Sequence, residues 1–190
     1  IHGALYPMRI KLLVGSCFIA VFFLAIALRG PWGRAAADDG TQFDVSLHGV
    51  SHLYHPKLTR SASSDCSYLT GRGAVEYCAP SPGGDAQFSM LCSVFPMILS
   101  GLLLALASGI VTYVSPYRAK GTSAALAAAS LAAVFAGTTV AQIAMPRALK
   151  VFDEIPLYMG GVAFTSVWIA MALLLFAAAL STTSTMLRHT

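Results

Sequence analysis

Four long stretches of apolar residues, each almost free of charged side chains, dominate the pattern along this chain. They cover residues 10–28, 88–114, 122–145 and 157–180. An α-helix rises about 1.5 Å per residue, so about 20 apolar residues cross a hydrocarbon core roughly 30 Å thick. The pattern therefore predicts an all-α membrane protein, a bundle of four transmembrane helices that forms one membrane domain.

The first stretch also fits a second interpretation, a cleaved signal peptide. Arg9 and Lys11 make a basic start, and the alanines at 35–37 resemble a cleavage site. The apolar run is, however, longer than the roughly 7–15 residues of a usual signal-peptide core. We therefore predict that residues 10–28 are a true membrane span.

The residues between the first two spans, 29–87, form the one long polar segment. In it Phe43, Val45 and Leu47 alternate with polar residues, which is the period of a half-buried strand. A second extended piece is predicted over residues 73–78. The first loop is therefore expected to be a small extramembrane structure that contains β-strands.

Three histidines in this loop, His48, His52 and His55, allow three interpretations. They could be ordinary solvated side chains, a cluster that senses pH, or metal ligands. A zinc site needs three or four ligands in a defined shape, and in a strand His55 points away from the other two. Solvated side chains are the interpretation that we favour, and we predict no metal site.

The four cysteines divide between the spans and the first loop. Cys17 and Cys92 lie in spans, where a thiol behaves as a small apolar side chain. Cys66 and Cys78 both lie in the loop. A disulfide between them is predicted, and it would stabilise the folded loop by about 2–3 kcal/mol.

The charged residues predict the orientation of the chain in the membrane. All eight acidic residues fall in the first and third loops, whereas the N-terminal flank, the second loop and the C-terminal tail hold only basic ones. By the positive-inside rule, both termini are predicted on the cytoplasmic or topologically equivalent side. The basic residues that lead to this prediction are Arg9, Lys11, Arg118, Lys120 and Arg188.

The spans hold almost no ionisable groups. Asp, Glu, Lys, Arg and His are absent from the last three, and Lys11 alone touches the first. Such groups mark proton relays, ion paths and haem sites within membranes. No nucleophile–base pair, phosphate-binding loop or paired carboxylate is recognisable either. We therefore predict that this chain is not an enzyme and binds no cofactor.

The overall composition agrees with a membrane location and argues against nucleic acid as a partner. Charged residues make up 11% of the 190 residues, compared with about 25% in soluble domains. The net charge is +4, but no run of Lys or Arg forms a nucleic-acid-binding patch. The basic residues are better explained as flanks of membrane helices, in contact with lipids.

Small residues recur at intervals of four in two of the spans, a spacing that lets helix backbones approach closely in lipid. In the second span these are Gly101, Ala105 and Gly109, for which we favour packing within the bundle. The third span has two adjacent rows, so one of them is predicted to face a partner. The rows are Ala125, Ala129, Ala133, Gly137 and Ala141, and Ala124, Ala128, Ala132 and Ala136.

This layout resembles the claudin-like tetraspan families, which include the peripheral myelin protein relatives and the kinetoplastid amastins. The shared features are four spans, cytoplasmic termini, a large first loop with a strand pattern, and two loop cysteines. Trp32, just after the first span, is placed like the loop tryptophan of the family, which implies that it anchors the loop. Gly160-Gly161 and Trp168 near the fourth span also look similar. The chain differs in having His52-Leu53-Tyr54 where the family has Gly-Leu-Trp.

These features lead to one main functional hypothesis and two alternatives. The main hypothesis is a non-catalytic structural tetraspan that packs against other membrane proteins, or a second copy of itself, and presents a disulfide-closed loop. The first alternative is an accessory subunit of a respiratory or photosynthetic membrane complex. The second is a small channel or transporter, which the uncharged spans disfavour.

Overall fold

A computed structural model of the 190-residue chain shows four long helices and one small sheet. It describes residues 2–36, 42–47, 49–54, 66–67, 85–115, 120–148 and 157–186. The helices are α1 (His2–Arg29), α2 (Asp85–Val114), α3 (Lys120–Ala148) and α4 (Val162–Met186).

Each helix contains an apolar segment long enough to cross a bilayer. The segments are 21 to 26 residues long and run over Met8–Arg29, Ser93–Val114, Gly121–Pro146 and Val162–Thr182. The prediction of a four-helix membrane protein is thereby confirmed. The chain is an integral membrane protein whose polar first loop adds a β-structure to a helical fold.

The sheet has five strands: β1 (Pro31–Ala36), β2 (Gln42–Ser46), β3 (Gly49–Tyr54), β4 (Cys66–Ser67) and β5 (Leu157–Met159). It is antiparallel, in the order β4-β3-β2-β1-β5. Four of its strands come from the first loop and the fifth from the third loop. The central strands pair through Ala35 with Phe43 and Val45 with Val50, and β1 also pairs with β5 through Ala35 and Leu157.

The alternating pattern in the first loop corresponds to β2 and the residue after it. Val45 and Leu47 are buried on one face. Asp44 points to the other face, where its carboxylate forms an ion pair with Arg34 on β1 and accepts a 2.9 Å hydrogen bond from the Arg34 Nε. The strand prediction is thereby confirmed. His52 lies in β3, whereas His48, His55 and the extended piece predicted at 73–78 lie outside the described residues.

The start of the fourth span is where the sequence prediction was wrong. Residues 157–159 were predicted to be helical but form β5, and α4 begins at Val162. Between them lie Gly160 and Gly161, which have a low helix propensity. Apolar content alone could not separate the strand from the helix because both are hydrophobic.

The chain divides into two compact units, and each helix contributes residues to both. The first unit comprises Ile1–Ala25, Met97–Ala136 and Ser166–Thr190, and its described residues other than Ser115 are helical. The second comprises Ile26–Pro96 and Gly137–Thr165 and includes the sheet. One membrane domain for the whole chain stays a prediction.

Candidate functional site: the helix-packing surfaces

The small residues of α2 lie inside the first unit. Gly101, Ala105 and Gly109 are all buried. A Cβ atom at Gly101 would overlap Cγ2 of Val134 on α3, and one at Gly109 would lie 3.3 Å from Cβ of Cys17 on α1. The space beside Gly101 and Gly109 is thus filled by α3 and α1, and both contacts lie within the first unit.

Next to this row, three buried hydroxyl groups join α2 to α3. The Oγ of Ser108 donates to the Ser123 carbonyl oxygen at 2.9 Å, and the Thr112 hydroxyl donates to the Ser108 carbonyl oxygen at 2.8 Å. The Thr112 and Ser123 hydroxyl oxygens are 2.6 Å apart. Each hydroxyl has a partner in the cluster, so the apolar interior holds these polar groups without an unmet hydrogen bond.

A thiol on α1 extends the cluster to a third helix. The Cys17 Sγ lies 3.8 Å from the Ser108 Oγ, to which it donates a hydrogen bond. Cys17 is fully buried and packs with Leu13 of α1, Ala177 and Leu180 of α4. The hydroxyl cluster and this apolar contact therefore connect all four helices within the first unit.

Seven residues along α3, a second hydroxyl contacts α2. Ser130 is fully buried, and its Oγ donates to the Gly101 carbonyl oxygen at 2.6 Å. This approach depends on the absence of a side chain at Gly101, because a Cβ there would also lie 3.3 Å from the Ser130 carbonyl oxygen. A small residue on one helix and a hydroxyl on the other thus form one contact.

The side of α3 opposite Ser123 is exposed and carries small side chains. At about 100° per residue, positions 125, 128, 129, 132 and 136 lie roughly 140–240° around the helix axis from Ser123. All five positions are exposed alanines. We call this surface the alanine face: Ala125, Ala128, Ala129, Ala132 and Ala136.

The first row predicted in the third span passes from the exposed side of α3 to the buried side. Ala125 and Ala129 are exposed, Ala133 is half-buried, and Gly137 and Ala141 are buried. Four residues turn a helix by about 400°, so a row at this interval moves about 40° around the axis with each step. In the neighbouring row Ala124 is half-buried, and its other three members belong to the alanine face: Ala128, Ala132 and Ala136.

In the second unit, Trp32 lies fully buried directly after α1. Its Nε1 donates to the Ala27 carbonyl oxygen at 2.7 Å. Within a helix that carbonyl would accept from the fourth residue on, but this is Pro31, which has no N–H. Trp32 therefore supplies the donor that the end of α1 lacks, and its ring packs edge-to-face on Phe164 of α4, 6.3 Å between centroids.

Gly161 allows the start of α4 to approach the same segment. Its N–H donates to the Trp32 carbonyl oxygen at 3.2 Å, and its carbonyl oxygen accepts from the Thr165 N–H at 3.1 Å. A Cβ at Gly161 would overlap the carbonyl group of Pro31. The backbones of β1 and the α4 start are thus in direct contact.

The sequence contained signals for these contacts that our predictions did not use. Ser108 and Thr112 are four residues apart, and Ser123 and Ser130 seven apart, so each pair shares one face of its helix. Polar residues that share one face of an apolar span predict a hydrogen-bonded contact with another helix. No comparable local signal existed for the contact between Gly161 and Pro31, which are far apart in sequence.

Of the predicted disulfide and the three histidines of the first loop, the structure describes Cys66 and His52. Cys66 lies in β4, while Cys78 lies outside the described residues, so their disulfide stays a prediction. Within the part of the chain that the structure describes, no group of three His, Cys, Asp or Glu residues could hold a metal ion.

Comparison with known proteins gave no assignment. No model of a known protein family matches the chain. No curated protein matches it significantly either.

Replacing Gly101 by Ala is expected to lower the free energy of unfolding by about 1–3 kcal/mol, because the added methyl overlaps a buried β-branched side chain that has little rotamer freedom. Gly121→Ala is the matched control, since nothing lies within 4 Å of a Cβ at that helical glycine. Unfolding in mixed detergent micelles measures both. Equal stability of the two variants would contradict the close α2–α3 contact.

Proposed function

We propose that this chain is a non-catalytic tetraspan protein that packs laterally against other membrane proteins through the alanine face of α3. The observation that supports this proposal is the exposure of five alanines on one side of a membrane-spanning helix. In lipid, helices associate through close van der Waals contact rather than through the hydrophobic effect, and small residues permit that contact.

The alanine face differs from the exposed surfaces of the other helices. These carry large apolar side chains that suit contact with lipid tails, for example Phe22 on α1, Leu103 on α2 and Leu175 on α4, each more than half exposed. On α3 the large exposed side chain of Phe135 lies beside the alanine face. A partner helix could approach the backbone of α3 more closely than that of its neighbours.

The proposal extends to the first loop and to the orientation of the chain. Both termini lie on the cytoplasmic or equivalent side, and a Cys66–Cys78 disulfide closes the loop on the other side. The strands of the first loop and the buried Trp32 after the first span support a relationship with the claudin-like tetraspan proteins, which share these features. The loop then serves as a second contact surface.

Replacing residues of the alanine face with larger ones is expected to weaken the lateral complex. In Ala125→Leu/Ala132→Leu the added side chains, one heptad apart, hold a partner backbone away, and association weakens by about tenfold or more, or 1.4 kcal/mol. Native-gel separation of mild-detergent extracts, with mass spectrometry of the co-migrating band, measures the loss. The matched control is Ala172→Leu/Ala179→Leu, which alters two exposed alanines one heptad apart on α4.

The same experiment separates the candidate functions. A band that contains only this chain shows self-association, whereas redox proteins in fixed stoichiometry show an accessory subunit of a larger complex. Migration of the native chain as a monomer would contradict both. Equal loss of the complex in the α3 and α4 variants would contradict the assignment of the contact to the alanine face.

A further inference from the structure

We propose that two hydroxyl anchors, Ser123 and Ser130, fix the rotation of α3 about its own axis and so determine that the alanine face points outward. The consequence for partner binding rests on the proposed function. The rotation itself does not, because it can be measured in the isolated protein.

The two anchors lie on one side of α3 and meet acceptors on one side of α2. Seven residues separate Ser123 from Ser130, which is about 20° short of two full turns. The Ser123 Oγ lies 3.1 Å from the Ser108 Oγ and donates to the Ser108 carbonyl oxygen at 3.4 Å, whereas the Ser130 Oγ donates to Gly101, seven residues from Ser108. Two antiparallel helices thus share two hydrogen-bonded contacts at the same heptad spacing, and both contacts lie within the first unit.

Apolar packing alone specifies the rotation of α3 weakly. Ala127 is buried and Ala128 is exposed, yet the two side chains are identical in shape. A rotation of about 100° would exchange such neighbours with little change in the volume of the contact. Val134 is the larger side chain that favours the observed rotation, through its fit against Gly101.

Hydrogen bonds distinguish the rotations because they are directional. The Ser130 Oγ reaches the Gly101 carbonyl oxygen at 2.6 Å only when that side of α3 faces α2. Rotated outward, the Ser123 and Ser130 hydroxyls would face hydrocarbon, where no water replaces the lost α2 partners and the carbonyl oxygens of α3 itself are the remaining acceptors. The anchors therefore favour the one rotation in which the alanines lie on the opposite side of the helix.

The test removes both anchoring hydroxyls, leaves the bond from Ser108 to the Ser123 carbonyl oxygen in place, and measures which side of α3 faces lipid. A diazirine dissolved in the bilayer is photolysed in vesicles that contain the full chain, and carbene insertion is mapped by residue with tandem mass spectrometry. In the native chain, insertion is expected at Ala128, Ala132 and Phe135 and not at Ala127 or Val134. In Ser123→Ala/Ser130→Ala, labelling of the outward-facing residues divided by labelling of the inward-facing residues is expected to fall several-fold, toward one.

A matched control removes two buried hydroxyls whose hydrogen bonds, among the described residues, stay within their own helices. Ser16 donates to the Leu12 carbonyl oxygen on α1, and Ser181 to the Ala177 carbonyl oxygen on α4. Ser16→Ala/Ser181→Ala is expected to keep the native labelling pattern on α3. If the double anchor variant aggregates, Ser130→Ala alone retains the cluster at Ser123 and is expected to show a smaller change in the same direction.

An unchanged pattern in the folded anchor variant would overturn the inference, and so would an equal change in the control. The same measurements can contradict the proposed function while the inference about the rotation stands. If the anchor variant loses its labelling pattern while the native chain forms no complex, the rotation is set as inferred but the alanine face binds no partner helix.

Discussion

Gly161→Ala is expected to prevent the second unit from folding. The added Cβ would overlap the carbonyl group of Pro31, and both sides of this contact are backbone. A flexible side chain could move away, but here β1 or the start of α4 must shift. Overpacking usually costs about 1–3 kcal/mol, and a backbone obstacle places this variant at or above the upper end.

The adjacent glycine gives a control for this variant. A Cβ at Gly160 would have no atom within 4 Å, and the residue is exposed. Gly160→Ala is therefore expected to fold normally. Fluorescence-detected gel filtration of detergent extracts, followed by thermal unfolding, compares the two. A Gly161→Ala protein as stable as Gly160→Ala would show that β1 and α4 do not approach as closely as described.

Trp32→Ala is expected to have the second large effect, a loss of about 3–5 kcal/mol in the free energy of unfolding. The substitution leaves a cavity where a fully buried indole contacts Phe164. It also leaves the Ala27 carbonyl oxygen without its donor at the end of α1. The resemblance to the claudin-like families implies that Trp32 anchors the loop, and this experiment tests that role.

Two further variants separate the contributions of the indole. Trp32→Phe retains most of the ring volume and removes the Nε1–H, so it is expected to lose about 1–3 kcal/mol for the unmet carbonyl oxygen. Trp168→Ala alters the other tryptophan, which is 47% exposed, and is expected to lose much less. Chemical unfolding in mixed micelles measures all three. Comparable losses for Trp32→Ala and Trp168→Ala would refute the anchoring role.

The features that could be predicted from the sequence were those specified over short distances along the chain. The four spans follow from apolar runs of about 20 residues, which have no other stable form in so short a chain. The strand through Val45 follows from its alternation, because one face is buried and the other carries Asp44. The burial of the Gly101 row was also expected from its spacing.

The features that could not be predicted depend on pairs of residues far apart. Strand β1 contains Pro31 and Gly33, which are uncommon in strands, and it is held by pairing with β2 and β5. Strand β5 is short and apolar, so its sequence could not be distinguished from the helix that follows. The rotation of α3 was uncertain for a related reason, because alanines occupy both of its sides, and the contacts of Val134, Ser123 and Ser130 that distinguish the sides are made with another helix.

The pairing of β1 with β5 has a consequence for biosynthesis. Strand β1 directly follows the first span, whereas β5 directly precedes the fourth, so more than half of the chain separates them. Synthesis proceeds from the N-terminus at about 5–20 residues per second, so β1 remains unpaired with β5 while the intervening spans are made. A chain released before β5 would keep an open β1 edge, a feature that promotes aggregation and that a quality-control system could detect. Completion of the sheet thus requires synthesis to pass the third span and reach the segment just before the fourth.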